Sequence, residues 1–135
     1  MKKKILLDSF ALLAYLQQED GYEKVKNLLS SDKTLLLMND INIGETFYIL
    51  AKKRGLEKAE YFLTVIFPAL PITNVGNTLQ DVIHAAKIKA RYPMSYADCF
   101  AVATAIKEKA TIITGDPDFK HIEKIVSVEW LETSL

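Results

Sequence analysis

Asp8, Glu45, Asp98 and Asp116 are the side chains of this sequence best suited to chemistry. Asp98 interrupts "MSYADCFAVATAI", a stretch that is otherwise almost wholly apolar and reads as a buried helix. On a helix, residues at i+3, i+4 and i+7 share a face. From Asp98 these are Ala101, Val102 and Ala105; from Glu45 the neighbours are Ile41, Tyr48 and Ile49. Ile43, Phe47 and Leu50 occupy the other side of the Glu45 helix, which is therefore expected to be buried nearly all round. Neither acid has a Lys or Arg one turn away on its own face; Lys52 lies two turns beyond Glu45. An unpaired buried carboxylate costs several kcal/mol or stays protonated. A divalent cation removes that cost, and oxygen-rich sites select hard ions such as Mg²⁺ or Mn²⁺. The four acids are thus a candidate ligand and catalytic set for phosphodiester hydrolysis, in which a metal activates water and neutralises developing charge. A carboxylate that does not coordinate can orient or deprotonate the water. The hydroxyls of Ser9 and Thr114 flank the set.

Each acid also has an ordinary explanation. Asp8 or Ser9 can cap a helix. Asp116 can serve the turn that "GDPD" makes with Pro117. Ser95 and Asp98 have the spacing of a capping box.

What must position these residues is an alternation of short apolar runs with helical patterns. Strands are predicted at "KILL" (Lys4 to Leu7), "TLLLM" (Thr34 to Met38), "LPIT" (Leu70 to Thr73), "TIIT" (Thr111 to Thr114) and "KIVSV" (Lys124 to Val128). Helices are predicted over "FALLAYLQQ", over "YEKVKNLLSS" after Gly21, and over "INIGETFYILAKKR" behind Asn39 or Asp40. Further helices are "LEKAEYFLTVIF", ended by Pro68, "LQDVIHAAKIKARY", with Leu79, Val82, Ile83 and Ala86 on its apolar face, and "SYADCFAVATAIKEKA". "EWLETSL" is a tail. Such alternation implies an α/β fold with a parallel sheet covered on both faces. Sites in such sheets form outside the carboxyl ends of the strands. Asp8 follows the first strand directly, and Asp116 lies two residues beyond the fourth.

The 135 residues suit a single domain spanning 1–135. Lys plus Arg balance Asp plus Glu at 17 each, which argues against nucleic-acid binding by bulk charge alone. Basic groups at Lys52–Arg54 and Lys87–Arg91 are candidates for a local RNA path. The single cysteine, Cys99, cannot form an intrachain disulfide, which suits a cytoplasmic location. No membrane-spanning run is present in the sequence, and Asp8 cuts the apolar stretch a signal peptide would need. His84 and His121 lack metal-ligand spacing with each other or with Cys99.

"ILLDSFALLAYL", "INIGETFYIL", "SYADCFAVATA" and "IITGDPDF" resemble the four acidic motifs of PIN-domain nucleases, in order and spacing, over essentially the whole chain. The likeness is greatest to the small VapC-type toxins of toxin–antitoxin pairs. The resemblance implies a PIN-like three-layer α/β/α fold with a central, mostly parallel sheet of four to five strands. It implies a Mg²⁺- or Mn²⁺-dependent endoribonuclease with Asp8, Glu45, Asp98 and Asp116 as catalytic acids and metal ligands. Ser9, Thr114 and Asp118 would be auxiliary. RNA is the implied substrate, a small antitoxin the implied partner, and a homodimer the implied assembly. Two residues depart from the family pattern: Phe10, where a small residue is more usual, and Thr46, where an aliphatic one is. The competing readings are a non-catalytic PIN-like module that holds RNA or protein, and a phosphoacceptor receiver domain. A receiver wants adjacent acids after the first strand, and here Ser9 follows Asp8.

Overall fold

In the computed structural model, which describes residues 1–132, the apolar runs form a five-stranded sheet. The strands are β1 (Lys3–Leu7), β2 (Thr34–Asn39), β3 (Ile72–Val75), β4 (Thr111–Thr114) and β5 (Val128–Trp130). Every pairing is parallel and the order is β3-β2-β1-β4-β5. The three inner strands are continuous apolar runs because both faces of the sheet are covered. Leu6, Leu37 and Ile112 pack into one core, while Ile5, Leu7, Leu36, Met38 and Ile113 pack into the other.

The second core is covered by α1 (Ser9–Leu16), α2 (Tyr22–Leu29), α3 (Asp40–Arg54) and α4 (Leu56–Tyr61), with the chain that follows α4. The first is covered by α6 (Leu79–Arg91), α7 (Tyr96–Glu108) and a 3-10 stretch at Pro117–Ile122. The result is the three-layer α/β/α arrangement expected, with a sheet that is wholly rather than mostly parallel.

Local chemistry sets the helix starts. Asp8 caps α1 by accepting from the Ala11 amide at 2.8 Å. Asn39 caps α3, and Thr78 with Asp81 makes a full capping box on α6.

Five local expectations are corrected. The third strand is Ile72–Val75 rather than Leu70–Thr73, because its ladder with β2 starts only at Ile72. Pro68 does not end its helix: a π-helical stretch, Phe62–Ile66, carries the chain into a short α5 (Phe67–Ala69). Pro68 there takes a first-turn position, where no N–H is needed. The last strand is Val128–Trp130 rather than Lys124–Val128, because Ile122 and Val126 turn into the core before the ladder resumes. The α6 helix buries Ala85 and Ile88, leaving Leu79 and Ile83 exposed. The α3 helix is not buried all round, since Ile41 and Tyr48 are exposed. Of the expected tail, residues 133–135 lie outside the described part.

Candidate active site

The strand order reverses between β1 and β4, so the chain leaves these two neighbours toward opposite sides. That switch point opens a crevice at their carboxyl ends. Asp8 leaves β1 there and Asp116 leaves β4 one residue after Gly115. Asp98 comes from the first turn of α7 in one layer, and Glu45 from α3 in the other. Asp8, Ser9, Glu45, Asp98, Asp116 and Asp118 all line one groove. Thr114 lies beneath it, fully buried.

The acids are held by specific contacts. Asp8 is 1% exposed; its Oδ1 accepts from the Ala11 amide and its Oδ2 from the Thr114 hydroxyl. The Thr114 oxygen also accepts from the Asp116 amide at 3.0 Å, which ties the β1 and β4 ends together. Ser9 donates to Glu45 Oε1. Asp116 Oδ1 accepts from the Asp118 amide at 2.9 Å, so the turn role and the groove position coexist. Ser95 accepts from the Asp98 amide at 3.2 Å. The reciprocal half of a capping box, from the Asp98 carboxylate to the Ser95 amide, is absent among the described residues. The Asp98 carboxylate is therefore free to face the groove.

Three carboxylates, those of Asp98, Asp116 and Asp118, place oxygens within 4.8 Å of one another. Burial pushes the Asp98 carboxyl up to about 7, with the Asp116 charge adding to the shift. Burial likewise pushes Asp8 up to about 7; the Thr114 and Ala11 hydrogen bonds oppose it, and the charges of Asp98 and Asp116 reinforce it. The ion pairs among the described residues, Lys4–Glu108 and Lys107–Asp81, leave the cluster uncompensated. The Asp98, Asp116 and Asp118 oxygens fit a hard divalent cation; of the four predicted ligands, Asp8 and Glu45 line the same groove outside that close set.

Sequence reasoning missed other parts of the site. Asn42, three residues before Glu45 and fully buried, donates to the Ala97 carbonyl at 3.1 Å and so pins α3 to the residue preceding Asp98. Of the Lys52–Arg54 group only Lys53 lines the groove, joined by Lys120; the Lys87–Arg91 group does not. Phe10 and Trp130 supply the groove's aromatic rings. Cys99 is a buried core residue whose thiol burial pushes up, and neither histidine joins a ligand cluster among the described residues.

The PIN domain family model matches residues 5–125, from β1 past the last acid. The chain belongs to the PIN domain family. Solved structures similar to this PIN domain include VapBC2 from Rickettsia felis bound to a DNA fragment from its promoter, at TM-score 0.72 and 19% identity, covering 94% of this chain and 98% of that one. Another is VapC20 from Mycobacterium tuberculosis, a sarcin-ricin loop cleaving toxin, at TM-score 0.71 and 18% identity, covering 86% and 92%. A toxin-antitoxin complex from Klebsiella pneumoniae matches at TM-score 0.70 and 13% identity, covering 96% and 99%. At these identities the likeness is one of fold. No curated protein matches the sequence.

Proposed function

We propose that this PIN domain is a Mg²⁺- or Mn²⁺-dependent endoribonuclease and the toxin of a toxin–antitoxin pair. The observation that carries the reading is the close set of Asp98, Asp116 and Asp118 oxygens in the groove that Asp8 and Glu45 also line, with none of these acids in an ion pair among the described residues. Asp98 and Asp116, with Asp8, are the residues that would hold the metal, which leaves Glu45 uncoordinated. When bound, it supplies Lewis acidity at the phosphoryl oxygen and lowers the pKa of a coordinated water. Glu45, fixed by the Ser9 hydroxyl, takes the proton of the attacking water. The water oxygen bonds to phosphorus, the bond from phosphorus to the leaving ribose oxygen breaks, and that oxygen takes a proton from solvent. Thr114 keeps Asp8 and the Asp116 backbone in register. Asp118 completes the acidic rim.

The choice of RNA is supported by the similar M. tuberculosis VapC20, a sarcin-ricin loop cleaving toxin. The antitoxin is supported by the toxin-antitoxin complex of the same fold. Exposed Leu56, Tyr61, Leu63 and Val65, along α4 and its π-helical continuation, offer apolar surface for a homodimer or for that antitoxin. Among the described residues no helix is long and apolar enough to cross a membrane, and a cytoplasmic site of action follows from the RNA substrate.

The test is cleavage of mixed cellular RNA by the pure protein with Mg²⁺ or Mn²⁺. Chelator should stop it, and Asp98→Asn should lower it by about 100-fold or more while circular dichroism stays unchanged. Full cleavage by pure Asp98→Asn protein would falsify the assignment.

A further inference from the structure

Resting on that reading, we infer that Phe10 is a stacking platform for the nucleobase flanking the scissile phosphate, and so a specificity-determining residue. Phe10 is 44% exposed, although Ala11, Leu12, Leu13 and Ala14, which follow it in α1, are all buried. Its ring serves neither core. It lines the groove, beside the acids. Two residues before it is Asp8, and the residue between them, Ser9, binds Glu45.

The ring is also held in place. It lies against Gly115, the residue before Asp116, so closely that a Cβ there would overlap Cδ1, Cε1 and Cζ of the ring. Gly115 has no positive φ that would demand glycine. Its missing side chain is explained by the ring alone. A phenyl group thus lies between the two turns that carry Asp8 and Asp116, on a residue that lines the groove and stays partly exposed.

That position lies within one nucleotide's reach of the acidic floor. A phosphate engaged there carries a base on either side, and every base has a π-face on which an aromatic ring can stack. Beside the acids, the ring offers the groove a flat apolar face. Lys53 and Lys120, lining the same groove, are placed for the phosphates beyond. Stacking of this kind is tolerant of sequence but demands an unpaired base, so the substrate class is a single-stranded or looped segment.

The experiment uses the full chain and single-stranded RNA oligonucleotides carrying a mapped cleavage site. Cleavage is followed in Mg²⁺ or Mn²⁺, and binding by fluorescence anisotropy in chelator. Phe10→Ala and Phe10→Leu should each lower kcat/KM about 10-fold or more, the loss falling in KM, and weaken binding to match. Phe10→Tyr, which keeps the ring, should behave as wild type. In the wild type, an abasic residue beside the scissile phosphate should reproduce the loss. Combined with Phe10→Ala it should add almost nothing. Phe10→Leu at wild-type rate and affinity would mean that the ring only packs on Gly115, and would overturn the inference. Additive losses would overturn it too. If the wild type binds RNA but never cuts it, the nuclease reading fails while the anisotropy series still decides Phe10. No binding at all defeats both and leaves the ring to a protein partner.

Discussion

Asp8 and Asp98 are acids in surroundings that favour the protonated form. With the folded pKa of each raised from 3.8 to about 7, the native state binds more protons than the unfolded chain between those values. Stability from these groups is therefore fully present below about pH 4 and is lost as pH rises through about 7. Metal-free protein should show this as a melting temperature that falls from pH 5 to pH 8 relative to an Asp8→Asn variant. Mn²⁺ at pH 8 should raise the wild-type value and leave Asp98→Asn nearly unmoved, because an ion that binds only the folded state stabilises it. Differential scanning fluorimetry reads both effects. At this scale much was legible. An aspartate among Ala101, Val102 and Ala105 reads as a functional acid because nothing beside it on the helix can neutralise it. Asn42 was not legible, because a polar residue near a helix start reads as ordinary and its partner, the Ala97 carbonyl, is 55 residues away.

Among the elements, α2 is joined to the end of the chain through Gly21. Gly21 has φ +87°, and a Cβ there would meet Leu131 Cβ at 2.9 Å. Gly21→Ala should cost about 1–3 kcal/mol, from the left-handed backbone and the overlap together. Urea unfolding measures it, and the parallel change at Gly55, which has φ +97° and open space around it, should cost less. The inner strands and long helices were readable because apolar runs and the 3.6 period signal them directly. The edges were not. β5 is three residues, all only partly buried, and its pairing with Ile112, Ile113 and Thr114 is a non-local choice. On α6 the periodic set containing Leu79 and Ile83 competed with the one around Ala85 and Ile88. Packing against α7 selected the second, and composition alone does not rank two such faces.

For the molecule as a whole, zero net charge leaves the proposed engagement of RNA to a few placed cations. Lys53 and Lys120 are the lysines that line the groove. Replacing both with Gln should flatten the slope of log affinity against log salt by roughly 0.7 per residue. The same change at Lys87, Lys89 and Arg91 should leave the slope unaltered; filter binding across a salt series distinguishes them. The strand order carries a temporal consequence as well. Thr114 and Asp8 touch although 106 residues separate them, because β4 inserts beside β1. Of the four acids, a nascent polypeptide emerging from the ribosome has at most Asp8 and Glu45 until Asp98 is added. Its acidic groove stays incomplete until the segment bearing Asp116 has emerged and taken its place beside Asp8.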